Sequence, residues 1–473
     1  MTYAFSFDAS ACSGCKACQV ACKDKNLLPL GVLWRRIYEV GGGEWTHSGN
    51  SWTSTVYAYT LSMACNHCVH PKCAGVCPVD AFSVREDGIV LLDSSKCIGC
   101  GYCAWACPYG APQYDPTTGC MTKCNLCYDN LDANLPPACV SACPMRVLDL
   151  ADQSELEARG LRYQAEFPMP TTSRTEPRVY VKPHPAASLA THPPQLFNQE
   201  EYAPQRKHSP GWAAWEEIPL IAFTLLGQIS AGISWVLGVL ILFGLPFSPF
   251  LYLIIGGCLG LGLVLSLLHL GRPRNAWRVL HNLHKSWLSR EILAVLLFAT
   301  FWAVSIIPFF LHSPLAVGQS LLVEATGLAG IAFVYCMSEV YRLRMVPAWN
   351  TMRIKVSFFL SALTLGLLMV LTGSVVAGML SRELTPLLHW SAVAGVFSLG
   401  LELAFTVSEK GILGKAAHNF RILLTAFGII AAALLLLLPL QSGKWIVLLV
   451  FFLTLLEEII GRWQFFASRN PSM

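Results

Sequence analysis

The stretch CSGCKACQVAC, from Cys12 to Cys22, spaces its four cysteines as C-x2-C-x2-C-x3-C. In this pattern three cysteines on a tight loop bind one 4Fe–4S cluster, and the fourth ligates a neighbouring cluster. Thiolates suit such clusters because both partners are soft. Three further groups follow: Cys65, Cys68, Cys73 and Cys77; Cys97, Cys100, Cys103 and Cys107; and Cys124, Cys127, Cys139 and Cys143. The spacing predicts four 4Fe–4S clusters on two bacterial-ferredoxin units.

Zinc is the alternative ligand for these cysteines, because a single C-x2-C pair fits a zinc site well. The triple-cysteine pattern followed by proline, as in CIGCGYCAWACP, is typical of iron–sulfur proteins, and the same triple spacing occurs at Cys12–Cys22. One cysteine, Cys120, is left over. We interpret it as a buried thiol, with substitution for a neighbouring ligand as the alternative.

The composition of the chain changes sharply along its 473 residues. Seventeen of the 19 cysteines precede residue 144, whereas long apolar runs dominate from residue 211 onward. We predict an α+β ferredoxin-like domain in residues 1–150, with a hairpin insertion in 23–64 and a short strand at 88–93. An extended Pro-rich linker then covers 151–210, and an all-α membrane anchor covers 211–473. The 33 basic and 29 acidic residues nearly balance, so no nucleic-acid partner is indicated.

Eight apolar stretches in the second half are long enough to span a membrane. They predict an eight-helix transmembrane bundle with spans near 218–243, 249–270, 291–312, 317–337, 356–380, 386–407, 420–440 and 445–466. Alternate connections are rich in Lys and Arg, and the others are nearly bare. By the positive-inside rule the basic side faces the cytoplasm, and eight spans put both termini there. The N-terminus shows no secretory signal, which agrees with a cytoplasm-facing cluster domain in the inner membrane. Docking of the basic loops on that domain, or periplasmic placement by co-export, are the alternatives.

Ionisable residues within membrane segments usually mark function. Near the basic side lie His269, Glu291, Glu402, Glu457 and Glu458, and Glu324 lies nearer the far side. Clusters move electrons, so a membrane domain serving them needs a lipid-soluble redox partner. Quinone fits, because its reactions also need proton-handling groups. The histidines His312, His389 and His418 fall at segment edges, which argues against haem.

The order of the four groups, with CIGCGYCAWACPYGAPQYD and MTKCNLCYDNL, closely resembles the iron–sulfur subunit of dimethyl sulfoxide reductase-type molybdoenzymes. The segments GWAAWEEIPLIAFTLLGQISAG and SLLHLGRPRNAW resemble the membrane anchor subunit of the same enzymes, so two subunits look fused here. The resemblance implies a large catalytic partner carrying molybdopterin guanine dinucleotide. It also implies that His269 and Glu291 belong to a quinone pocket, to which we add Arg272 of the adjoining basic loop.

The resemblance further implies which cysteines share a cluster. Group one pairs with group four, and group two pairs with group three. The four sets are Cys12, Cys15, Cys18 with Cys143; Cys124, Cys127, Cys139 with Cys22; Cys65, Cys68, Cys73 with Cys107; and Cys97, Cys100, Cys103 with Cys77.

We therefore predict the electron-transfer and membrane-anchor subunit of a quinone-linked oxidoreductase whose substrate site lies on the partner chain. Three alternatives stay open: a subunit of a polysulfide- or formate-type complex, a redox-regulated ion transporter, and a cluster-bearing scaffold without quinone. The transporter would need a continuous polar path across the membrane, for which the sequence offers only Glu324.

Overall fold

The structure, a computed structural model, falls into two compact units. Unit 1 comprises Met1–Lys207 and Leu270–Ser286, and unit 2 comprises His208–His269 and Trp287–Met473. The residues described are 1–159, 175–186, 195–196, 218–245, 249–311, 316–343, 346, 349–376, 393, 395–397, 399–401, 403–404, 415–437 and 444–467.

Unit 1 is an α+β fold of short elements, as the spacing of its cysteines and turns predicts. Its strands and helices run in the order β1 Tyr3–Asp8, α1 Ala17–Lys25, β2 Arg36–Gly42, β3 Trp45–Ser48, β4 Ser51–Ser54, β5 Tyr57–Met63, α2 Lys72–Val76, β6 Phe82–Val84, β7 Val90–Leu92, α3 Tyr102–Ala106, β8 Gln113–Asp115, β9 Cys120–Thr122, α4 Tyr128–Asp132, α5 Ala138–Ser141, β10 Leu148–Asp152, α6 Gln153–Ala158, β11 Val179–Lys182 and β12 Gln195–Leu196.

The central sheet of unit 1 joins the start of the chain to the end of the cysteine-rich region. Strand β1 pairs antiparallel with β10 and parallel with β11. Alternate residues of β1 point inward, and Phe5 and Phe7 enter the core beside the cluster cysteines. The sheet therefore holds the first and fourth cysteine groups together.

The insertion between the first two cysteine groups is the predicted hairpin. Strands β2 and β5 pair antiparallel over seven residues. Between them in the sequence, β3 and β4 pair as an exposed two-stranded ribbon. The short strand predicted at 88–93 is β7, which pairs with β6. Both predictions are confirmed.

The structure differs from the prediction that 151–210 is a plain extended connector. Strand β11 adds to the central sheet with three buried residues, Val179, Tyr180 and Val181, and β12 pairs with β2. Arg178 also donates hydrogen bonds to the carbonyls of His67 and Gly88. The Pro-rich composition hid this strand, because its apolar run is only three residues long.

A second difference concerns Leu270–Ser286, which the sequence assigns to the anchor. This segment, hereafter the docking loop, folds with unit 1 and contains a 3-10 stretch over Pro273–Asn282. Its sequence neighbours on both sides are apolar helices of unit 2. The two units divide between Lys207 and His208, and this loop, although it lies within the predicted anchor at 211–473, folds with unit 1.

Unit 2 is built from long apolar helices, as the hydropathy predicts. They are α7 Ile218–Leu242, α8 Phe250–Leu268, α9 Trp287–Leu311, α10 Ala316–Tyr341, α11 Met352–Val376, α12 Lys415–Leu437 and α13 Lys444–Ala467. Among the described residues five helices, α7 to α11, are long and apolar enough to cross a membrane. The span predicted at 386–407 lies mostly outside the described residues.

Helix α7 lies at the centre of unit 2, in contact with α8, α10, α11 and α13. Gly232 allows the closest approach, since a Cβ built there would lie 1.8 Å from the carbonyl oxygen of Ala362 on α11. Gly366 on α11 packs against Gly232 at the same helix crossing. Small residues at a crossing are typical of helix packing in lipid, where close van der Waals contact drives association.

Candidate metal centres and membrane site

Two of the four predicted cysteine sets each line one cavity of unit 1. Cys12, Cys15, Cys18 and Cys143 surround the first cavity, beside Pro144. The second cavity is lined by Cys65, Cys68, Cys73 and Cys107. In both cases three cysteines of one group meet the last cysteine of another, which is the arrangement that a ferredoxin-type cluster requires.

The other two sets are neighbours by their mutual electrostatic influence. Cys22 is influenced by Cys139 and Cys127, although it is far from both in sequence. Cys103 is likewise influenced by Cys100, Cys77 and Cys97, and also by Cys73 of another set. Folding therefore brings these cysteines close together, and their division into two sets stays a prediction.

The ligand loops are shaped for clusters by backbone geometry. Gly14, Gly99 and Gly101 adopt positive φ, which lets the chain turn inside each C-x2-C spacing. Backbone amides also point at sulfur: the amides of Gly99 and Met121 each lie 3.4 Å from Cys97 Sγ. Such N–H donors stabilise the charge of a bound cluster and tune its reduction potential.

Eleven of the sixteen predicted ligand cysteines are buried and Cys15 is exposed, and burial governs the protonation of the buried thiols. Burial, reinforced by the neighbouring Cys22 and Cys65, raises the pKa of Cys124 well above its ordinary value. Burial likewise raises the pKa of Cys100 to about 12. Without iron these thiols would hold their protons at neutral pH, so cluster binding has to displace them.

The geometry also bears on the zinc alternative. Among the residues that the structure describes, no three His, Cys, Asp or Glu side chains converge closely enough to hold one metal ion. A zinc site needs its ligands about 2.0–2.3 Å from the metal. A cubane instead spreads its four thiolates over separate iron corners, so its ligands lie farther apart than those of a single zinc ion.

Cys120 behaves as predicted, as a buried thiol. It is 1% exposed, at the start of β9, and its Sγ lies 3.4 Å from the carbonyl oxygen of Ser94. It contributes to neither cysteine-lined cavity described above.

Arg35 is a functional candidate that the sequence did not single out. Only 2% exposed, it donates hydrogen bonds to Ser62, whose Oγ lies 3.3 Å from Cys18 Sγ. Its guanidinium also stacks on Phe5, with Cζ 4.5 Å from the ring centroid. Burial alone lowers the pKa of Arg35, but the surrounding cysteines, with Cys139 and Cys18 foremost, together raise this pKa more, and the net shift is upward. A permanent positive charge therefore lies buried between the first and fourth cysteine groups.

A second buried basic residue lies near the second group. Lys123, 3% exposed, donates to the carbonyls of Val90 and Cys124. The backbone amide of Val90 in turn donates to His67 Nδ1 at 3.1 Å. Burial, followed by the charges of Lys123 and Arg178, lowers the pKa of His67 well below its ordinary value, so this imidazole is neutral. Sequence offered one hint, the position of Lys123 directly before Cys124.

The docking loop attaches to ligand-bearing segments at both of its ends. At its start, the backbone amide of Arg272 donates to the carbonyl of Ile98, and Asn275 Nδ2 donates to the carbonyl of Cys97. At its end, Asn282 Nδ2 donates to the carbonyl of Cys77 at 2.8 Å, and Ser286 Oγ donates to the carbonyl of Val76.

Three glycines make this attachment close. A Cβ on Gly271 would lie 2.1 Å from the carbonyl oxygen of Gly119, and a Cβ on Gly99 would lie 2.3 Å from the same oxygen. Both distances are far below van der Waals contact, so any side chain there would push the loop away. The loop thus contacts residues of the predicted cluster set of Cys97, Cys100, Cys103 and Cys77.

Arg272 has a defined position in this interface. Its Nε donates to the carbonyl of Thr118 at 2.8 Å and its Nη1 to the carbonyl of Ser94 at 3.0 Å. These hydrogen bonds give its guanidinium a role in holding the loop. A contact between Arg272 and quinone stays a prediction.

His269 and Glu291 lie at matching depths on neighbouring helices of unit 2. His269 is the C-cap of α8, and Glu291 lies in the first turns of α9. The two helices are joined where Trp302 Nε1 donates to the carbonyl of Tyr252 and packs on Gly256. Glu291 lies 11 residues before Trp302 on α9, and His269 lies 13 residues after Gly256 on α8. At a rise of about 1.5 Å per residue, Glu291 and His269 therefore lie at nearly the same distance along their helices from this contact.

Glu291 is the more deeply buried of the two. It is 1% exposed, and its Oε1 has no hydrogen-bond partner among the described residues. A buried carboxyl oxygen without a partner is costly and therefore suggests a ligand or a proton-transfer role.

The other acidic candidates have different surroundings. Glu457 on α13 forms a buried ion pair with Arg421 on α12, with Oε1 and Nε 2.8 Å apart, and Arg421 also donates to Gln464. Glu324 on α10 lies against Gly238, and a side chain at position 238 would fill the space beside the Glu324 carboxylate. Glu458 is buried as well. Of the remaining candidates, Glu402, His312 and His389 lie outside the described residues, and the side chain of His418 lies outside them too.

Comparison with known proteins identifies both halves. Residues 56–153 match the model of the 4Fe–4S dicluster domain, and residues 212–467 match the DMSO reductase anchor subunit (DmsC) family. The N-terminal half is 47% identical over 182 residues to an anaerobic dimethyl sulfoxide reductase chain of Escherichia coli strain K12, covering 38% of this protein and 89% of that one. It is 44% identical over 189 residues to the same-named chain of Haemophilus influenzae, covering 40% of this protein and 92% of that one.

A more distant relative is a tetrathionate reductase subunit of Salmonella typhimurium, 40% identical over 143 residues that cover 30% of this chain and 54% of that one. The protein is thus an electron-transfer iron–sulfur subunit with its own membrane anchor, in the oxidoreductase class. It belongs to the dimethyl sulfoxide reductase anchor subunit family, with the iron–sulfur subunit fused ahead of the anchor. The family resemblance inferred from the sequence is confirmed.

Proposed function

We propose that this chain passes electrons between a quinone pool in the membrane and a molybdopterin catalytic partner through four 4Fe–4S clusters. The cysteine sets above bind the clusters, and an eight-span anchor binds the quinone. The partner is a large subunit carrying molybdopterin guanine dinucleotide, which holds the substrate site. The chain lies in the inner membrane with its cluster domain on the cytoplasmic side, and it needs no haem.

The docking loop is the observation that carries this proposal. It contacts both ligand segments of one cluster set, through the carbonyls of Cys97 and Cys77. Its two ends continue directly into α8, which ends at His269, and α9, which begins just before Glu291. A continuous stretch of chain therefore links one cluster set to the two residues proposed for quinone, and this cluster is the one that exchanges electrons with the membrane.

The residues at the membrane site match the proton chemistry of a quinone. Oxidation of a quinol to quinone releases two electrons and two protons, so the site needs groups that accept protons. A neutral imidazole at His269 accepts the first, and the buried carboxylate of Glu291 accepts the second or relays it outward. The buried surroundings of Glu291 exclude water, so the protons pass through the His269 and Glu291 side chains.

Metal and sulfide analysis tests the cluster count. We expect iron and acid-labile sulfide near sixteen of each per chain, as four 4Fe–4S clusters require. Stoichiometric zinc, or about half that iron, would contradict the proposal. Cys120→Ser is the matched control, because its thiol hydrogen-bonds a carbonyl instead of lining a cluster cavity, and its iron content should equal that of the wild type.

Anaerobic cluster reduction by a quinol analogue tests the membrane site. His269→Ala and Glu291→Gln should each slow reduction by quinol strongly, while reduction by dithionite and iron content stay normal. His281→Ala, an exposed histidine of the docking loop, is the matched control and should behave as wild type. Normal quinol-driven reduction in both site variants would move the site elsewhere, with Glu402 and the Glu457–Glu458 pair as the next candidates.

A C-terminal reporter tests the sidedness. Fused after Met473, it should report a cytoplasmic position, because the basic connections lie on that side. A periplasmic result would indicate export of the folded complex with its partner.

A further inference from the structure

Helices α9 and α10 enclose an apolar groove of about 600 Å³. Each helix contributes five residues at positions i, i+3, i+4, i+7 and i+11, which is one continuous face of a helix. On α9 this face runs from Arg290 to Phe301, and on the antiparallel α10 it runs from Cys336 back to Ala325. Eleven residues at about 1.5 Å each make the groove about 16 Å long.

The floor of the groove is made of small residues. Ala294 on α9 and Ala325, Ala329 and Ala332 on α10 line it, with leucines along its sides. Its lining includes a single charged residue, Arg290, at the end nearest the docking loop in the sequence. The volume falls within the range of small-molecule sites, and the narrow, elongated apolar shape suits a flexible hydrocarbon chain.

The mouth of the groove lies beside Glu291, which does not itself line the groove. Arg290 precedes Glu291, and Cys336, at the same end of the groove, lies within the electrostatic influence of both Glu291 and Arg290. Arg290 itself stacks on Trp287, with Cζ 4.3 Å from the ring centroid, which fixes its guanidinium at this mouth. A molecule with its polar head beside Glu291 would thus have its apolar remainder directed into the groove.

We propose that the α9–α10 groove binds the isoprenoid tail of the quinone whose head lies at His269 and Glu291. This inference rests on the proposed function. Binding the first few isoprenoid units in the groove restricts the tail and orients the head, so the groove selects quinones by the tail they carry. The phosphate and acyl chain of a phospholipid are the competing occupant, since Arg290 would also attract a phosphate.

A filled groove tests the proposal. Ala329→Phe places an aromatic ring on the groove floor, away from the head site. Ala303→Phe is the matched control, because Ala303 lies exposed on α9 and outside the groove lining. The full chain with its clusters, in lipid nanodiscs, is reduced anaerobically by a long-tailed quinol and, separately, by a quinol without an isoprenoid tail.

For Ala329→Phe we expect the half-saturating concentration of the long-tailed quinol to rise about tenfold and that of the tail-less quinol to stay unchanged. The control should match the wild type with both substrates. Unchanged values with both quinols would overturn the proposal, as would equal increases with both. Loss of co-purifying phospholipid with normal quinol kinetics would assign the groove to lipid instead.

Failure of the underlying function gives a different result. If Glu291→Gln reduces its clusters normally with the tail-less quinol, the head site is wrong, whatever the groove variant does. If Glu291→Gln blocks that reaction and Ala329→Phe leaves long-tailed quinol unaffected, only the tail groove is wrong.

Discussion

Replacing Arg35 by Met should lower the reduction potential of the clusters in the first and fourth cysteine groups. The substitution removes a buried positive charge and keeps an apolar stem of similar length. Because Arg35 is 2% exposed and its nearest charged neighbours are cluster cysteines, water can replace little of the lost charge. A positive charge stabilises the reduced, more negative cluster, so its removal favours the oxidised form.

The size of the effect follows from Coulomb's law. At an effective dielectric constant of about 20, two unit charges ~8 Å apart interact by about 2 kcal/mol. For a one-electron couple, in which 59 mV corresponds to a tenfold change in equilibrium constant, this is about 90 mV. The hydrogen bonds from Arg35 to Ser62 are lost as well, so the Ser62 hydroxyl is less polarised and a weaker donor to Cys18 Sγ, which acts in the same direction.

Potentiometric titration followed by electron paramagnetic resonance measures the individual potentials. Arg35→Lys keeps the charge and should recover most of the shift, whereas Lys182→Met removes an exposed charge paired with Asp8 and should shift nothing. Midpoint potentials of Arg35→Met within a few millivolts of wild type, at full iron content, would refute the electrostatic role. A shift that Arg35→Lys fails to recover would assign the effect to hydrogen bonding.

Three further outcomes are expected. Gly271→Ala should slow quinol-driven but not dithionite-driven cluster reduction, because its Cβ would lie 2.1 Å from a carbonyl oxygen of the interface, and Gly257→Ala, with open space around its Cβ, should react normally in the same stopped-flow assay. Glu457→Gln should destabilise the anchor by about 1–3 kcal/mol, since it replaces a charged acceptor of the buried Arg421 by a neutral one; an unchanged thermal transition would contradict this. Cys120→Ser should leave the thermal transition within a few degrees of wild type, because Ser can donate the same hydrogen bond to the Ser94 carbonyl; a large drop would show that the thiol matters for packing.

The cysteine groups were predictable because the spacing of cysteines along a short stretch of sequence indicates their chemistry. Three cysteines within seven residues, as in Cys12, Cys15 and Cys18, must share a loop, so the first and third groups identify themselves. Which group supplies the fourth ligand is a long-range property. The resemblance to a known family supplied that pairing, and the cavities lined by Cys143 and Cys107 agree with it.

The buried basic residues were not predictable from the sequence. Nothing distinguishes Arg35 from the adjacent Arg36, yet the first is 2% exposed and the second is only partly buried. Arg35 lies in the bend just before β2 and Arg36 begins that strand, and only the tertiary fold decides which of the two side chains meets the cysteines. Strand β11 was not predicted for a similar reason, since its partner β1 lies about 170 residues earlier in the chain.

The docking loop changes what the fusion of two subunits means. The loop is encoded among the membrane helices but folds with the cluster domain, so recognition between the two halves does not depend on the peptide that joins them. Strands β11 and β12 belong to the cluster domain, so only the connection after Leu196 acts as a tether that raises the local concentration of one half near the other. A chain cut after Leu196, or expressed as two polypeptides divided there, should still assemble, with the docking loop providing the specific recognition and the tether contributing speed.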